Sequence, residues 1–241
     1  MKKVIAIVLF GTLLFALGCG HKATTAATPQ GIDAQKAELG DRVQMATDDL
    51  SALLSAPDSE VPEEILSKAQ CVAVIPDMVK GGFVFGGKHG RGLATCRTGN
   101  GWSAPVPVAL TGGSWGAQIG VQSADVVLLF MNGGSLQSLL NNQVQIGGEA
   151  SVAAGPVGRH AQAATDAALK AQILSYSRTK GLFAGLDLGG AKMSQDMDTT
   201  AALYGSQIPY SRILSGQVAT PQMAQQFVSA VRREFVAARN D

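Results

Sequence analysis

Charged residues are scarce in this sequence: Asp, Glu, Lys and Arg make up 15% of its 241 residues, against about 25% in an average soluble domain. Aromatic residues are also few, at 5%, and no run combines them with basic residues in the way that stacks nucleic-acid bases. The formal net charge of +1 is too small for a protein that coats nucleic acid. Charge and aromatic content therefore exclude nucleic-acid binding. Apolar residues still make up 46%, which excludes disorder and allows an ordinary buried core.

Metal-ligand and catalytic spacings are missing as well. The three histidines and three cysteines form no C-x-x-C or H-E-x-x-H pattern, so neither a metal nor a cofactor is expected. Gly112–Gly116 matches the G-x-S-x-G pattern around Ser114, but the run AQIGVQ that follows has strand character where an esterase begins a helix. A serine esterase is therefore a minor alternative.

The amino terminus carries no apolar run long enough to span a bilayer. The stretch Val4–Leu17 holds fourteen residues, whereas a spanning helix needs about 20. Since Lys2 and Lys3 precede this stretch and the small residue Gly18 follows it, the pattern predicts a secretory signal over residues 1–18.

The string ALGC, which ends in Cys19, resembles the lipobox of bacterial lipoproteins, whose cysteine is lipidated when the signal is removed. The resemblance implies that Cys19 is the lipidation site. Residues 19–31 then form a flexible tether and residues 32–241 form the domain. We expect an exported, lipid-anchored protein on the periplasmic face of the outer membrane. The alternative is a plain signal peptide with a cysteine close to its cleavage site.

Four helices are predicted outside the central region. Apolar residues recur every three or four positions over Ile32–Ala56, which indicates an amphipathic helix. Pro62 and the two glutamates after it predict a short second helix. A third is expected near Asp198–Tyr204, and a last one where Thr220 stands as N-cap before Pro221.

The central region is rich in glycine and in short runs of β-branched and apolar residues. Of the 29 glycines, 22 lie between Met78 and Lys192, and glycine in strands marks the bulges and bends that let a sheet curl. The sequence therefore predicts an α+β domain in which a curled, barrel-like antiparallel sheet is packed by N- and C-terminal helices.

Cys71 and Cys96 are the cysteines left beside Cys19. They can form a disulfide if their two strands are neighbours. Otherwise they are two buried free thiols, each behaving as a small hydrophobic residue. Both possibilities stay open at this point.

Charge is distributed unevenly along the chain. Residues 32–68 carry a net charge of −6 and residues 78–192 a net charge of +5. The glycine-rich sheet is thus the basic part of the protein, which fits either an ordinary solvated surface or a site for an anionic partner.

Several ordered blocks of the central region resemble the SYLF domain, the lipid-binding or actin-regulator domain of cortical-actin proteins. With their spacers they cover roughly residues 45–238, and they read KGGFVFGGKHGRGLATCR, GWSAPVPVALTGGSWGAQIG, ASVAAGPVGRHA and SYSRTKGLFAGLDLGG. The resemblance implies a membrane-lipid binder without catalytic residues, whose basic surface side chains contact phosphoinositide headgroups. Carried over to this sequence, the candidate headgroup-binding residues are Lys88, Arg91, Arg159, Arg178, Lys180 and Lys192.

One feature departs from the pattern of the eukaryotic relatives, in which an amphipathic N-terminal helix assists membrane binding. Here that helix carries Glu38, Asp41, Asp48 and Asp49, which disfavours its insertion into an anionic membrane. We therefore expect a membrane-anchored, non-catalytic binding protein for anionic phospholipids such as phosphatidylglycerol, cardiolipin or lipid A. The alternative is a structural or protein-interaction module of the cell envelope, in which the basic residues are incidental.

Overall fold

A computed structural model shows how these segments assemble. It describes residues 29–54, 61–83, 85–115, 120–132, 139, 141, 143–148, 150–157, 170–179, 182–183 and 188–237. The predicted signal, Cys19 and the tether as far as residue 28 lie outside the described residues, as do Arg159 and Lys180.

The predicted helices are present, with one addition. They are α1 (Pro29–Leu54), α2 (Glu63–Lys68), α3 (Met197–Tyr204), α4 (Tyr210–Leu214), a 3-10 turn (Gln222–Ala224) and α5 (Gln225–Ala237). The addition is α4, whose five residues are too few to show a helical period. At the last helix a 3-10 turn follows Pro221 and no side chain caps it, so the predicted N-cap role of Thr220 is replaced by this tighter start.

In the part of the chain that the structure describes, ten strands form one mixed sheet. They are β1 (Cys71–Phe83), β2 (Phe85–Thr98), β3 (Gly101–Trp102), β4 (Val106–Trp115), β5 (Gly120–Phe130), β6 (Gln143–Gln145), β7 (Val152–Ala154), β8 (Ile173–Thr179), β9 (Leu182–Phe183) and β10 (Lys192–Gln195). The main order is β6-β10-β4-β2-β1-β5-β8-β7, with β3 beside β2 and β9 beside β8. All pairs are antiparallel except β7 with β8, which run parallel.

The sheet curls into a half-barrel, as the sequence predicted. The strands β6 and β7 lie at opposite ends of the main order, yet only residues 146–151 separate them in the chain. Six residues span at most about 20 Å, so the two ends must curve toward each other. Ile146 bridges Ala150 near β7, and its N–H donates to the carbonyl of Ala191 beside β10 at 2.8 Å.

Each face of the sheet has its own apolar core. On the face that carries α1, which we call the outer face, Val72 and Val74 of β1 pack with buried side chains of α1, α2 and α5. On the inner face, Ala73 and Ile75 of the same strand join side chains from β6, β8, β10 and α4. This alternation follows from the period of two in a strand, and near-continuous apolar runs such as CVAVI reflect burial on both sides.

A bulge interrupts β1 at the centre of the sheet. The pairing register of β1 shifts between Val74 and Val79 against β2, and between Ile75 and Met78 against β5. Within the bulge, Asp77 has φ +46°, and it is the one non-glycine residue with positive φ in the described part of the chain. The facing strand makes room with glycine, because a Cβ on Gly92 would lie 1.9 Å from the carbonyl oxygen of Val74.

Cys71 and Cys96 are joined in a disulfide. They are directly opposite each other on β1 and β2, and both are fully buried on the inner face. Of the two possibilities that the sequence left open, the structure therefore has the cross-strand disulfide.

The close approach at Gly92 gives a test of the bulge. We expect Gly92→Ala to lower the free energy of unfolding by more than about 2 kcal/mol, since the added methyl group must displace backbone atoms rather than a side chain. Equilibrium urea denaturation measures this loss. Gly113→Ala is the matched control, since a Cβ on Gly113 meets nothing within 4 Å. Equal stability of the two variants would contradict the packing described here.

Candidate functional site

The predicted headgroup-binding residues do not share one environment. Four of the six are described, namely Lys88, Arg91, Arg178 and Lys192. They divide between the two faces of the sheet, and two of them lie beside carboxylates.

Lys88 lies on the inner face and is 3% exposed. Its Nζ donates a hydrogen bond to the carbonyl oxygen of Gly189 at 3.1 Å. Because successive side chains of β2 point to opposite faces, Lys88 faces inward while His89 and Arg91 face outward. The structure thus corrects the prediction for Lys88, which is buried and cannot form part of an exposed headgroup surface.

Arg91 is on the outer face, where acidic residues approach it. Its side chain is 48% exposed, with guanidinium nitrogens 3.9 Å from Glu38 Oε1 and 3.7 Å from Asp196 Oδ2. Glu38 belongs to α1 and also accepts a 2.6 Å hydrogen bond from Arg42. Asp196 is the N-cap of α3 and accepts from the backbone N–H of Thr199 at 3.0 Å. Arg91 therefore has nearby counter-charges but remains accessible to solvent.

Arg178 is more enclosed. On β8 it lies directly opposite Asp125 of β5, and its Nη2 is 4.0 Å from Asp125 and 4.0 Å from Asp49 of α1. Its Nε is buried and has no hydrogen-bond partner among the described residues. Arg178 is thus a guanidinium that lies between two carboxylates at 4.0 Å.

Lys192 is exposed at the start of β10 and belongs to a solvent-facing row across five strands. The sheet register places Lys192 opposite Thr111, Thr111 opposite His89, His89 opposite Val79, and Val79 opposite Ser123. Directly paired residues point to the same face, and all five are exposed. They mark the part of the outer face that α1 leaves uncovered.

A second row lies beside the first, toward the end of the sheet where the chain passes from β1 to β2 and from β4 to β5. It contains Val121, which is 80% exposed, together with Gly81, Gly87 and Gly113. We call these two rows together the hairpin face. Val79 is 43% exposed within it, so the hairpin face combines two exposed valines with Lys192 and His89, and Arg91 lies at its border with α1.

An acidic cluster adjoins the hairpin face. At the bulge, the backbone N–H of Asp77 donates to Asp125 Oδ1 at 3.2 Å, and Ser123 Oγ donates to Asp77 Oδ1 at 3.3 Å. A cleft of about 540 Å³ lies here, lined by both aspartates, Arg178 and residues 121–124 and 179. The cluster therefore links the bulge, the cleft and the C-terminal half of α1 through Arg178 and Asp49.

Asp49 has an unusual acidity in this cluster. Burial raises the pKa of its carboxyl group to about 7, and the negative charges of Asp125, Asp77 and Asp48 act in the same direction. The positive charge of Arg178 opposes them only partly. Asp49 thus changes its charge close to neutral pH.

Sequence reasoning missed the hairpin face and the acidic cluster. It selected basic residues of the resembling blocks, so it left out Val79, Val121 and His89. The period of two in β2 was an available signal, because it separates Lys88 from His89 and Arg91. No local signal places Asp49 beside Arg178, since these residues are far apart in the chain.

The pattern around Ser114 does not form an esterase elbow. Ser114 lies inside β4, which continues to Trp115 and pairs with β2, whereas an elbow is a sharp strand-to-helix turn. In the described part of the chain, no three His, Cys, Asp or Glu side chains converge as metal ligands would. None of the helices described has both the length and the apolar character needed to cross a membrane.

The helix-backed curled sheet and its exposed hairpin face define an α+β binding module. The family described as "Ysc84: Las17-binding protein actin regulator" matches residues 111–234. The chain belongs to this family, the SYLF family that the sequence blocks resembled.

Several relatives from eukaryotes support this membership. An SH3 domain-containing protein of Schizosaccharomyces pombe is 40% identical over 168 residues, which cover 68% of this chain and 39% of that protein. Protein YSC84 of Saccharomyces cerevisiae is 33% identical over 76% of this chain and 40% of its own length. SH3 domain-containing YSC84-like protein 1 of Mus musculus is 29% identical over 71% of this chain and 51% of its own length. The chain thus spans about half or less of each of these relatives.

The acidity of Asp49 gives a stability prediction. Its folded-state pKa is about 7 and lies above the value of about 3.9 in an unfolded chain. Its contribution to stability is therefore lost as the pH rises from about 4 to about 7. Asp49→Asn should gain roughly 2 to 4 kcal/mol relative to the wild type over that range.

Urea denaturation at a series of pH values measures this difference. Asp41→Asn is the control, because Asp41 is an exposed carboxylate on the same helix. A constant difference between Asp49→Asn and the wild type from pH 4 to pH 8 would show that Asp49 ionises normally.

Proposed function

We propose that this domain binds membranes rich in anionic phospholipids through the hairpin face. The observation that carries the proposal is the exposed row of the outer face, which combines cationic and apolar side chains and which none of the described helices covers. The valines supply apolar surface for the headgroup boundary, and Lys192, with Arg91 at the border, supplies positive charge for phosphates.

The magnitudes suit a peripheral attachment. Each cation near an anionic surface contributes about 1 kcal/mol, and burying an exposed Val121 side chain contributes about 1.5 kcal/mol. These contributions are modest alone. The proposed lipid anchor on Cys19 would keep the hairpin face at high effective concentration beside the bilayer, so that weak contacts suffice.

The sites proposed here differ from the set that the resemblance implied. Lys192 and Arg91 remain, and Val79, Val121 and His89 join them. Arg178 contributes less, because two carboxylates lie at 4.0 Å from its guanidinium group. Lys88 is excluded by its burial. Arg159 and Lys180 remain candidates from the family resemblance alone.

A second candidate function uses the same face for a protein partner. The family description and a yeast relative named LAS seventeen-binding protein 3 refer to protein binding. For this chain, the corresponding proposal is a protein-interaction module of the cell envelope, with the exposed valines as the contact. Vesicle binding distinguishes the two functions.

The test is vesicle flotation with the chain from Gly20 onward, which retains every described residue, its fold checked by its melting transition. We expect it to bind vesicles containing phosphatidylglycerol but not purely zwitterionic vesicles, and less at high salt. Lys192→Glu should weaken binding at least about fivefold, and Val121→Ser should weaken it severalfold.

Lys170→Glu is the matched charge control. Lys170 is exposed just before β8, and the adjoining end of β8 pairs with Phe130, at the opposite end of β5 from Val121. It should therefore bind much like the wild type. If Lys170→Glu and Lys192→Glu lose vesicle binding equally, the effect comes from net charge and not from the hairpin face. Equal binding of the wild type to both vesicle types would overturn the lipid proposal.

A further inference from the structure

The acidic cluster and the hairpin face are continuous. Ser123 belongs to the exposed row and donates to Asp77 at 3.3 Å. Asp77 bonds Asp125 through its backbone N–H, and Arg178 lies 4.0 Å from both Asp125 and Asp49. A change of charge at Asp49 therefore occurs at the edge of the surface proposed to meet the membrane.

The position of Asp49 is fixed by the core. Its neighbours Ala46, Leu50 and Leu53 on α1 are fully buried against the outer face of the sheet. The Asp49 side chain itself is 15% exposed. The backbone at Asp49 is therefore held by the core, and this keeps its carboxyl group close to the charges of the cluster.

The charged groups that act on Asp49 come from three strands of the sheet and from α1 itself. They are Asp125 on β5, Arg178 on β8, Asp77 on β1 and Asp48 on α1. Three carboxylates and one guanidinium surround a fourth carboxylate. With Asp49 ionised, these five groups carry a net charge of −3, and with Asp49 protonated they carry −2.

We propose that the acidic cluster is a proton-sensitive switch for membrane attachment, in which protonation of Asp49 strengthens binding of the hairpin face to anionic lipid. The inference rests on the proposed function. Protonation removes one negative charge from the edge of the surface. Arg178 then has one negatively charged neighbour fewer. Burial already holds the pKa of Asp49 at about 7, so the change takes place between pH 6 and pH 8.

The expected size follows from the charge removed. One unit charge close to an anionic bilayer is worth about 1 kcal/mol, which corresponds to a change of about fivefold in binding. To leave Asp49 as the group under test, the imidazole of the hairpin face, His89, is replaced. The comparison is therefore made in a His89→Gln background.

The experiment measures flotation on phosphatidylglycerol-containing vesicles at pH 6 and pH 8, using the chain from Gly20 onward. In His89→Gln, binding should strengthen up to about fivefold on acidification. With Asp49→Asn added, binding at pH 8 should equal that of the parent at pH 6 and should no longer depend on pH. With Asp41→Asn added instead, binding should keep its pH dependence, because this exposed carboxylate of α1 lies outside the cluster.

The outcomes separate the switch from the proposed function. Binding that is selective for anionic vesicles but equal at pH 6 and pH 8 overturns the switch and keeps the function. A pH dependence that survives Asp49→Asn also overturns the switch. Absence of binding at both pH values in all variants overturns the proposed function, and the switch as a membrane device with it. The melting transition at each pH verifies that every variant is folded.

Discussion

The packing of α1 across the outer face of the sheet is the contact on which the rest of the structure depends. Its buried stripe, which includes Val43, Leu50 and Leu53, covers the outer side chains of β1, β2, β5 and β8. Burial of five such side chains stabilises the folded state by on the order of 10 kcal/mol. The same contact brings the acidic side of the helix to Arg91 and Arg178, and it ends where the exposed row begins. The packing of α1 thus determines both the outer core and the charges around the candidate site.

The bulge in β1 connects the sheet to this pattern. Pro76 cannot donate to a ladder hydrogen bond, and Asp77 adopts a positive φ beside it. Such strain is tolerated only where surrounding contacts hold it. Here Gly90 and Gly92 give space on one side, and Asp125 binds the backbone N–H of Asp77 on the other. The high glycine content of the sheet therefore has two explanations. Gly90 and Gly92 allow the close approach of β1 at the bulge, and other glycines form a row of the hairpin face.

The fold was largely predictable, and the charge pattern of the site was not. The helices at both ends, the sheet between them and its curl follow from periodicity and glycine content, which are local properties of the chain. The sequence did not predict the short helix α4 or the parallel pairing of β7, because neither has a local sequence pattern. The burial of Lys88 could have been foreseen from alternation along β2. The approach of Glu38 and Asp49 to Arg91 and Arg178 could not, because it depends on how a helix crosses strands distant in sequence.

The curl has a consequence for how copies of this protein behave together. Only β6 and β7 end the main order of the sheet, and each has three residues. Residues 146–150, where Ile146 bridges Ala150, draw these two ends toward each other. Long open strand edges recruit other chains and start aggregation. Each of the two outermost strands of this order therefore offers a neighbouring copy no more than three residues of backbone to which a further strand could be added.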